Sequence, residues 1–182
     1  MRESAFIADV AVNRATGVLY ATWQDTRFRA VDEIAFSLST DGGRHWTRPV
    51  KVNQTSANAT NVYRQQAFVA EVEAAPDGRA VVTYYDFRND RTRGGELTDK
   101  WAVSCAANCD SAASWGDEVR LTARPFDMLD APVARGHFLG DYVGLARAGN
   151  AVHSVFGIAE ADNVTNLYTR RIEFPRVTAA TE

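Results

Sequence analysis

Two carboxylate–guanidinium pairs recur at one spacing, Asp25 with Arg27 and Asp86 with Arg88. Such a pair can hold a ligand, or it can stitch one strand layer to the next. Recurrence at matching places favours stitching, because a single asymmetric ligand rarely needs the same group twice. A second set stands just ahead of apolar segments: Arg64-Gln65-Gln66 before Phe68, and Arg135-Gly136-His137 before Phe138, followed by Asp141 and Tyr142. A guanidinium donates two parallel bonds to a carboxylate. Arg64 and Arg135 therefore suit an acidic ligand, with Gln66, Asp86 and Arg88 as further contacts. His137 and Asp141 can move protons, and Tyr142 adjoins Asp141. The alternative for all of them is a hydrogen-bonded lining without a ligand. His45 and His153 read as structural. Asp127, Asp130 and Asp141 offer hard oxygens for calcium, but no EF-hand spacing accompanies them. The expectation is no cofactor, with calcium as the alternative.

The elements that must position these residues are short strands. Apolar and polar residues alternate over brief runs, and no stretch carries a helical period. A first unit runs from Phe6 through Val10 and Val12, turns at Asn13–Gly17 and continues through Trp23 to Arg27. A second starts at Phe68, turns at Pro76-Asp77-Gly78 and continues through Tyr84 to Arg88. A third starts at Phe138, turns at Gly149-Asn150 and continues to Phe156. Trp23, Tyr84 and Phe156 share one position in these repeats, and a period of this size signals a repeat architecture.

The first unit contains the octet Ser39-Thr40-Asp41-Gly42-Gly43-Arg44-His45-Trp46 between two strand patterns. This is a hairpin turn with fixed internal chemistry. The Asp41 carboxylate accepts turn N–H groups, the glycines permit positive φ, and Trp46 is expected to fold under the turn as an apolar plug. Ser39 and Gly43 complete the pattern. In the second unit Ser104 and Trp115 occupy corresponding places, with Cys105-Ala-Ala-Asn-Cys109 inserted between them. The cysteines read as a short disulfide loop, with two reduced thiols as the alternative.

The 182 residues, 46% hydrophobic and 10% aromatic, suit one globular unit or part of a larger one. A net charge of -3 argues against nucleic acid and anionic membranes as partners. No apolar run approaches a membrane span. Met1–Ser4 leads straight into a strand pattern, so an export signal is expected outside this sequence.

The octet resembles the Asp-box, or BNR repeat, of sialidase-like β-propellers. The segments Ala21–Arg27, Tyr84–Asp90 and Phe138–Ala146 extend the resemblance to bacterial exo-α-sialidase-type proteins, over most of the chain. It implies an all-β fold, a β-propeller of four-stranded antiparallel blades. About three blades are expected, near 5–53, 66–123 and 137–177, half of a six-bladed ring. It also implies that Ser39, Asp41, Gly43 and Trp46 carry fold rather than chemistry. It points to an acidic glycan as ligand and to an extracellular or periplasmic location. A working member uses three arginines, a tyrosine–glutamate nucleophile pair and an aspartate acid/base. The early F-R-I-P motif is absent, and neither Arg48-Pro49 nor Arg124-Pro125 replaces it. No complete arginine triad or Tyr/Glu pair can be assigned from sequence, so a non-catalytic glycan- or protein-binding module, or an inactive fragment, is the alternative. Bare faces on the outermost units, at Val10, Val12, Leu19, Tyr142 and Phe156, predict a homodimer that completes the ring.

Overall fold

The computed structural model describes residues 7–56, 65–90, 96–140, 143–161 and 164–173. Three of the candidate site residues, Arg64, Asp141 and Tyr142, lie outside them. The described chain folds into three antiparallel sheets taken in sequence order. The first holds β1 (Asp9–Val12), β2 (Leu19–Asp25), β3 (Glu33–Ser39) and β4 (Val50–Lys51). The second holds β5 (Ala67–Ala74), β6 (Ala80–Asp86), β7 (Leu97–Cys105) and β8 (Gly116–Arg120), with β9 (Phe126–Asp127) paired to β7. The third holds β10 (Gly144–Ala148), β11 (Ala151–Glu160) and β12 (Val164–Ile172).

The sheets stack face on face, and strand parity decides which residue meets which neighbour. On β2, Tyr20, Thr22 and Gln24 are buried while Leu19, Ala21 and Trp23 are half-buried on the opposite face. On β6 every residue is buried. Ala80, Val82 and Tyr84 join a core with Tyr20, Ile34 and Phe36 of the first sheet. Val81 and Tyr85 join a second core with Val152, Phe156 and Ile172 of the third. Each fully buried side chain of this kind contributes about 1.5–3 kcal/mol before entropy is set against it. Aromatic contacts fix the layers. Phe36 meets Trp115 edge-on at 4.6 Å, and Phe68 stacks on Tyr85 at 5.4 Å and Phe87 at 5.1 Å.

The first strands of the three sheets adjoin, with β5 packed beside both β1 and β10. β5 bulges between Phe68 and Glu71. Val69 sits there at φ 49, where a β-branched residue is strained. Two side chains hold it: Gln24 Oε1 accepts the Val69 N–H at 2.9 Å, and Lys100 Nζ donates to the Val69 carbonyl at 3.4 Å. Lys100 is itself sealed between sheets, paired with Glu71 at 3.0 Å, and burial pushes its ammonium below the usual lysine range.

The octet forms the β3–β4 turn. Ser39 Oγ donates to Asp41 Oδ1 at 2.9 Å and accepts Gly43 N–H at 3.0 Å, while His45 N–H donates to Asp41 Oδ1 at 2.9 Å. The bond from the His45 amide holds the Asp41 carboxyl below the usual range. Gly42 and Gly43 take φ of 75° and 87°. Trp46 departs from the expectation of a buried plug. It is 42% exposed, because among the described residues no sheet covers the outward face of the first sheet, and its indole N–H bonds Gly43 O at 3.1 Å. Its counterpart Trp115 is 5% exposed, pressed between the first two sheets. Cys105 and Cys109 form a disulfide, Cα to Cα 5.7 Å, and the Trp115 indole donates to Cys109 O at 3.0 Å.

The expected bare faces divide. Val10 and Val12 are 58% and 42% exposed. Phe156, expected on a bare face, is buried instead, because its parity on β11 turns it toward the second sheet.

Candidate functional site

The repeated Asp–Arg pairs come out differently. Asp86 is fully buried and accepts Thr55 Oγ1 at 2.5 Å, Arg88 Nε at 2.5 Å and Trp101 Nε1 at 3.0 Å. Burial pushes its carboxyl up, against the pull of Arg88 beside it. Arg88 lies over the Trp101 ring at 4.0 Å and donates from both terminal nitrogens to Glu118, and also to Tyr84 Oη at 3.0 Å. Tyr84 O–H in turn donates to Glu118. Thr55 and Gln54 follow the first sheet, and Gln54 N–H donates to Tyr84 Oη at 3.0 Å. This network fastens the first sheet to the second and engages every nitrogen of the Arg88 guanidinium. Burial also pushes the Tyr84 hydroxyl well above its ordinary value. Tyr84 is itself fully buried, so its hydroxyl is not presented to a substrate.

The other candidates are separated. Gln66 is half-buried just ahead of β5. Arg135 is exposed at φ 63, on a tight loop closed by Ala134 N–H to Gly136 O at 2.8 Å. His137 Nδ1 lies 3.2 Å from Ala131 O and anchors the base of that loop. Asp127, one of the calcium candidates, spends Oδ1 on the amides of Glu96 and Leu129, both at 3.0 Å. Among the described residues no group of three or more His, Cys, Asp or Glu is placed to hold a metal.

The structure instead gathers a set of residues of which only Asp127 and Asp130, the calcium candidates, were singled out. A pocket of 620 Å³ opens between the second and third sheets, with Arg124, Asp127, Asp130, Glu160, Tyr168 and Arg170 in its lining. Tyr168 O–H donates to Glu160 Oε1 at 2.5 Å, and its ring stacks on Phe156 at 6.5 Å. That bond holds the Glu160 carboxyl below, and the Tyr168 hydroxyl above, its ordinary value, and the Arg124 charge favours both ionised forms. Arg124 and Arg170 are exposed and pair with no carboxylate among the described residues. A hairpin register anchored on Phe156 opposite Tyr168 puts Glu160 and Tyr168 on one face. That register was the available signal, and the strand periodicity alone did not supply it.

Comparisons with known proteins agree with the architecture. No family model matches the sequence, and no curated protein does. Solved structures do. The Hadza microbial sialidase Hz136 superposes with a TM-score of 0.50 at 12% identity, covering 90% of this chain and 30% of the sialidase. The Trypanosoma rangeli sialidase, solved with the inhibitor DANA, gives 0.47 at 18% identity over 92% of this chain and 28% of that protein. A leech intramolecular trans-sialidase gives 0.38 at 14% identity, over 91% and 23%. The chain thus spans less than a third of each of these proteins. The fold is all-β and sialidase-like, that of a β-propeller's packed antiparallel sheets. No helix among the described residues is long and apolar enough to cross a membrane.

Proposed function

We propose that this chain is an acidic-glycan-binding part of a sialidase-like propeller, with the ligand seated in the pocket between the second and third sheets. The observation that carries the reading is the pair of guanidiniums, Arg124 and Arg170, lining one pocket without carboxylate partners among the described residues. An anionic sugar would complete them with charge-assisted bonds, Tyr168 would offer its ring edge, and Glu160 would accept sugar hydroxyls. The disulfide fits an oxidising compartment, extracellular or periplasmic.

The test is titration with N-acetylneuraminate, with galactose as the neutral control. Binding of the acid is expected to weaken at least about tenfold, or 1.4 kcal/mol, in the Arg124→Ala/Arg170→Ala protein. Equal binding of galactose, or an unchanged affinity in that variant, counts against the reading.

A second reading is hydrolysis, favoured by the Tyr168–Glu160 bond, since a tyrosine backed by a glutamate is the nucleophile of the exception among glycosidases. The bond to Glu160 raises the Tyr168 hydroxyl above its ordinary value, so the protonated form is the one that meets a ligand. Release of fluorophore from a sialoside substrate by the parent, abolished in Tyr168→Phe, would place hydrolysis first.

A further inference from the structure

Arg124 and Arg170 enter the pocket from different sheets. Arg170 stands on β12, and Arg124 on the connection that follows β8. Register places Arg170 relative to Tyr168. The two are alternate residues of one strand, opposite Ser154 and Phe156. Their side chains therefore leave the same face, roughly 7 Å apart along the strand. Arg170 adjoins the backbone end of Tyr168. The far end of Tyr168 is its hydroxyl, which donates to Glu160 Oε1 at 2.5 Å. Arg124 belongs to that end, since its charge acts on both the Glu160 carboxylate and the Tyr168 hydroxyl.

The two guanidiniums thus stand at opposite ends of one tyrosine side chain. A carboxylate carries its two oxygens on one carbon, which matches a single guanidinium fork. It is shorter than a tyrosine, so one carboxylate serves one of these arginines. The lining holds no other cation among the described residues. Its floor is apolar, with Phe126, Phe156 and Ala159 buried, and suits the faces of sugar rings rather than charges. The volume of 620 Å³ lies within the range of about 300–1,000 Å³ that takes a drug-sized molecule, which leaves room beyond one sugar ring. An ionised Glu160 is an acceptor only, so the ligand group that meets it must be a donor such as a hydroxyl.

We infer that the pocket reads an acidic glycan at two places, with anionic groups on neighbouring sugars seated on Arg124 and Arg170 and a sugar hydroxyl donating to Glu160. The ligand class is accordingly an oligosaccharide with two acids rather than a single terminal acid. This rests on the binding role proposed for the pocket and narrows it.

Calorimetric titration with disialic acid and with sialyllactose separates the cases, because sialyllactose has more rings than the dimer but one acid. Disialic acid is expected to bind at least about tenfold tighter than sialyllactose, the gain from one further charge-assisted contact. Arg124→Gln and Arg170→Gln are each expected to remove that gain. Both side chains are exposed, so both variants are expected to melt with the parent. Equal affinities for disialic acid and sialyllactose, both above that for galactose, overturn the inference and leave the pocket as a site for one acid. A gain for disialic acid that survives both substitutions seats the second acid elsewhere and also overturns it. No preference for either acid over galactose overturns the binding role itself, and the inference with it.

Discussion

Truncating Trp115 to alanine is expected to lower the free energy of unfolding by about 3–5 kcal/mol, the range for a large aromatic removed from a core. Three losses coincide at this residue. Its ring leaves the edge-on contact with Phe36 at 4.6 Å. Its N–H leaves Cys109 O, an acceptor in a disulfide-closed loop. The void opens between two sheets that are themselves held by Tyr20, Val82 and Tyr84, so neither can relax alone. Trp46→Ala provides the control. It occupies the corresponding turn position, but it is half-exposed, and its loss is expected to cost about 1 kcal/mol. Urea unfolding of both variants checks the pair. Similar midpoints would show that the fold does not distinguish the two positions.

Arg88→Met is expected to cost a comparable amount, about 3–5 kcal/mol, because it strands a buried charge. Asp86 has no solvent to turn to, and Thr55 and Trp101 supply only neutral donors. Adding Asp86→Asn should restore part of the loss, since the remaining groups are then neutral apart from Glu118 at the margin. The pH dependence carries a definite sign. Burial already raises the Asp86 carboxyl, and removing Arg88 takes away the main counterweight. A group whose folded pKa exceeds its unfolded one contributes stability below the unfolded value and loses it as pH rises through the folded value. The single variant should therefore regain stability on mild acidification from neutrality, toward the carboxylate range, and the double variant should not. Urea midpoints across that range measure it. A single variant that only weakens with acid would place Asp86 in contact with water.

Much of the architecture was readable in the residues, and the reasons are local. Period-two alternation in Leu19–Asp25 and the Pro76-Asp77-Gly78 turn report strand and reversal through contacts a few residues apart. The Ser39–Trp46 octet specifies its own hydrogen bonds, so its turn could be read without knowing the rest of the fold. Burial of Trp46 could not, because whether a ring is covered depends on the neighbouring sheet and not on the turn. Phe156 failed for the same reason in the opposite sense. Of the repeated pair, Asp86 crosses to the first sheet through Thr55, whereas Glu118, which binds Arg88, belongs to the same sheet as Arg88. The pocket around Arg124 and Tyr168 was not readable, since it joins a connection after β8 to the far end of a hairpin. Only the pairing of Phe156 with Tyr168 brings Glu160 to the same face.

Strand β6, covered on both faces, sets an order of exchange along the stack. Amide protons leave a sheet only when its hydrogen bonds open, and in layered repeats the cost of opening is mainly the cost of parting neighbours. β6 must part from two sheets at once, whereas β2 and β11 must each part from one. Deuterium should therefore enter the amides of Val82, Thr83 and Tyr84 last. β12, where Leu167 is exposed, should lose its protons early. The molecule would then yield from its two ends inward, and the middle layer would record global unfolding.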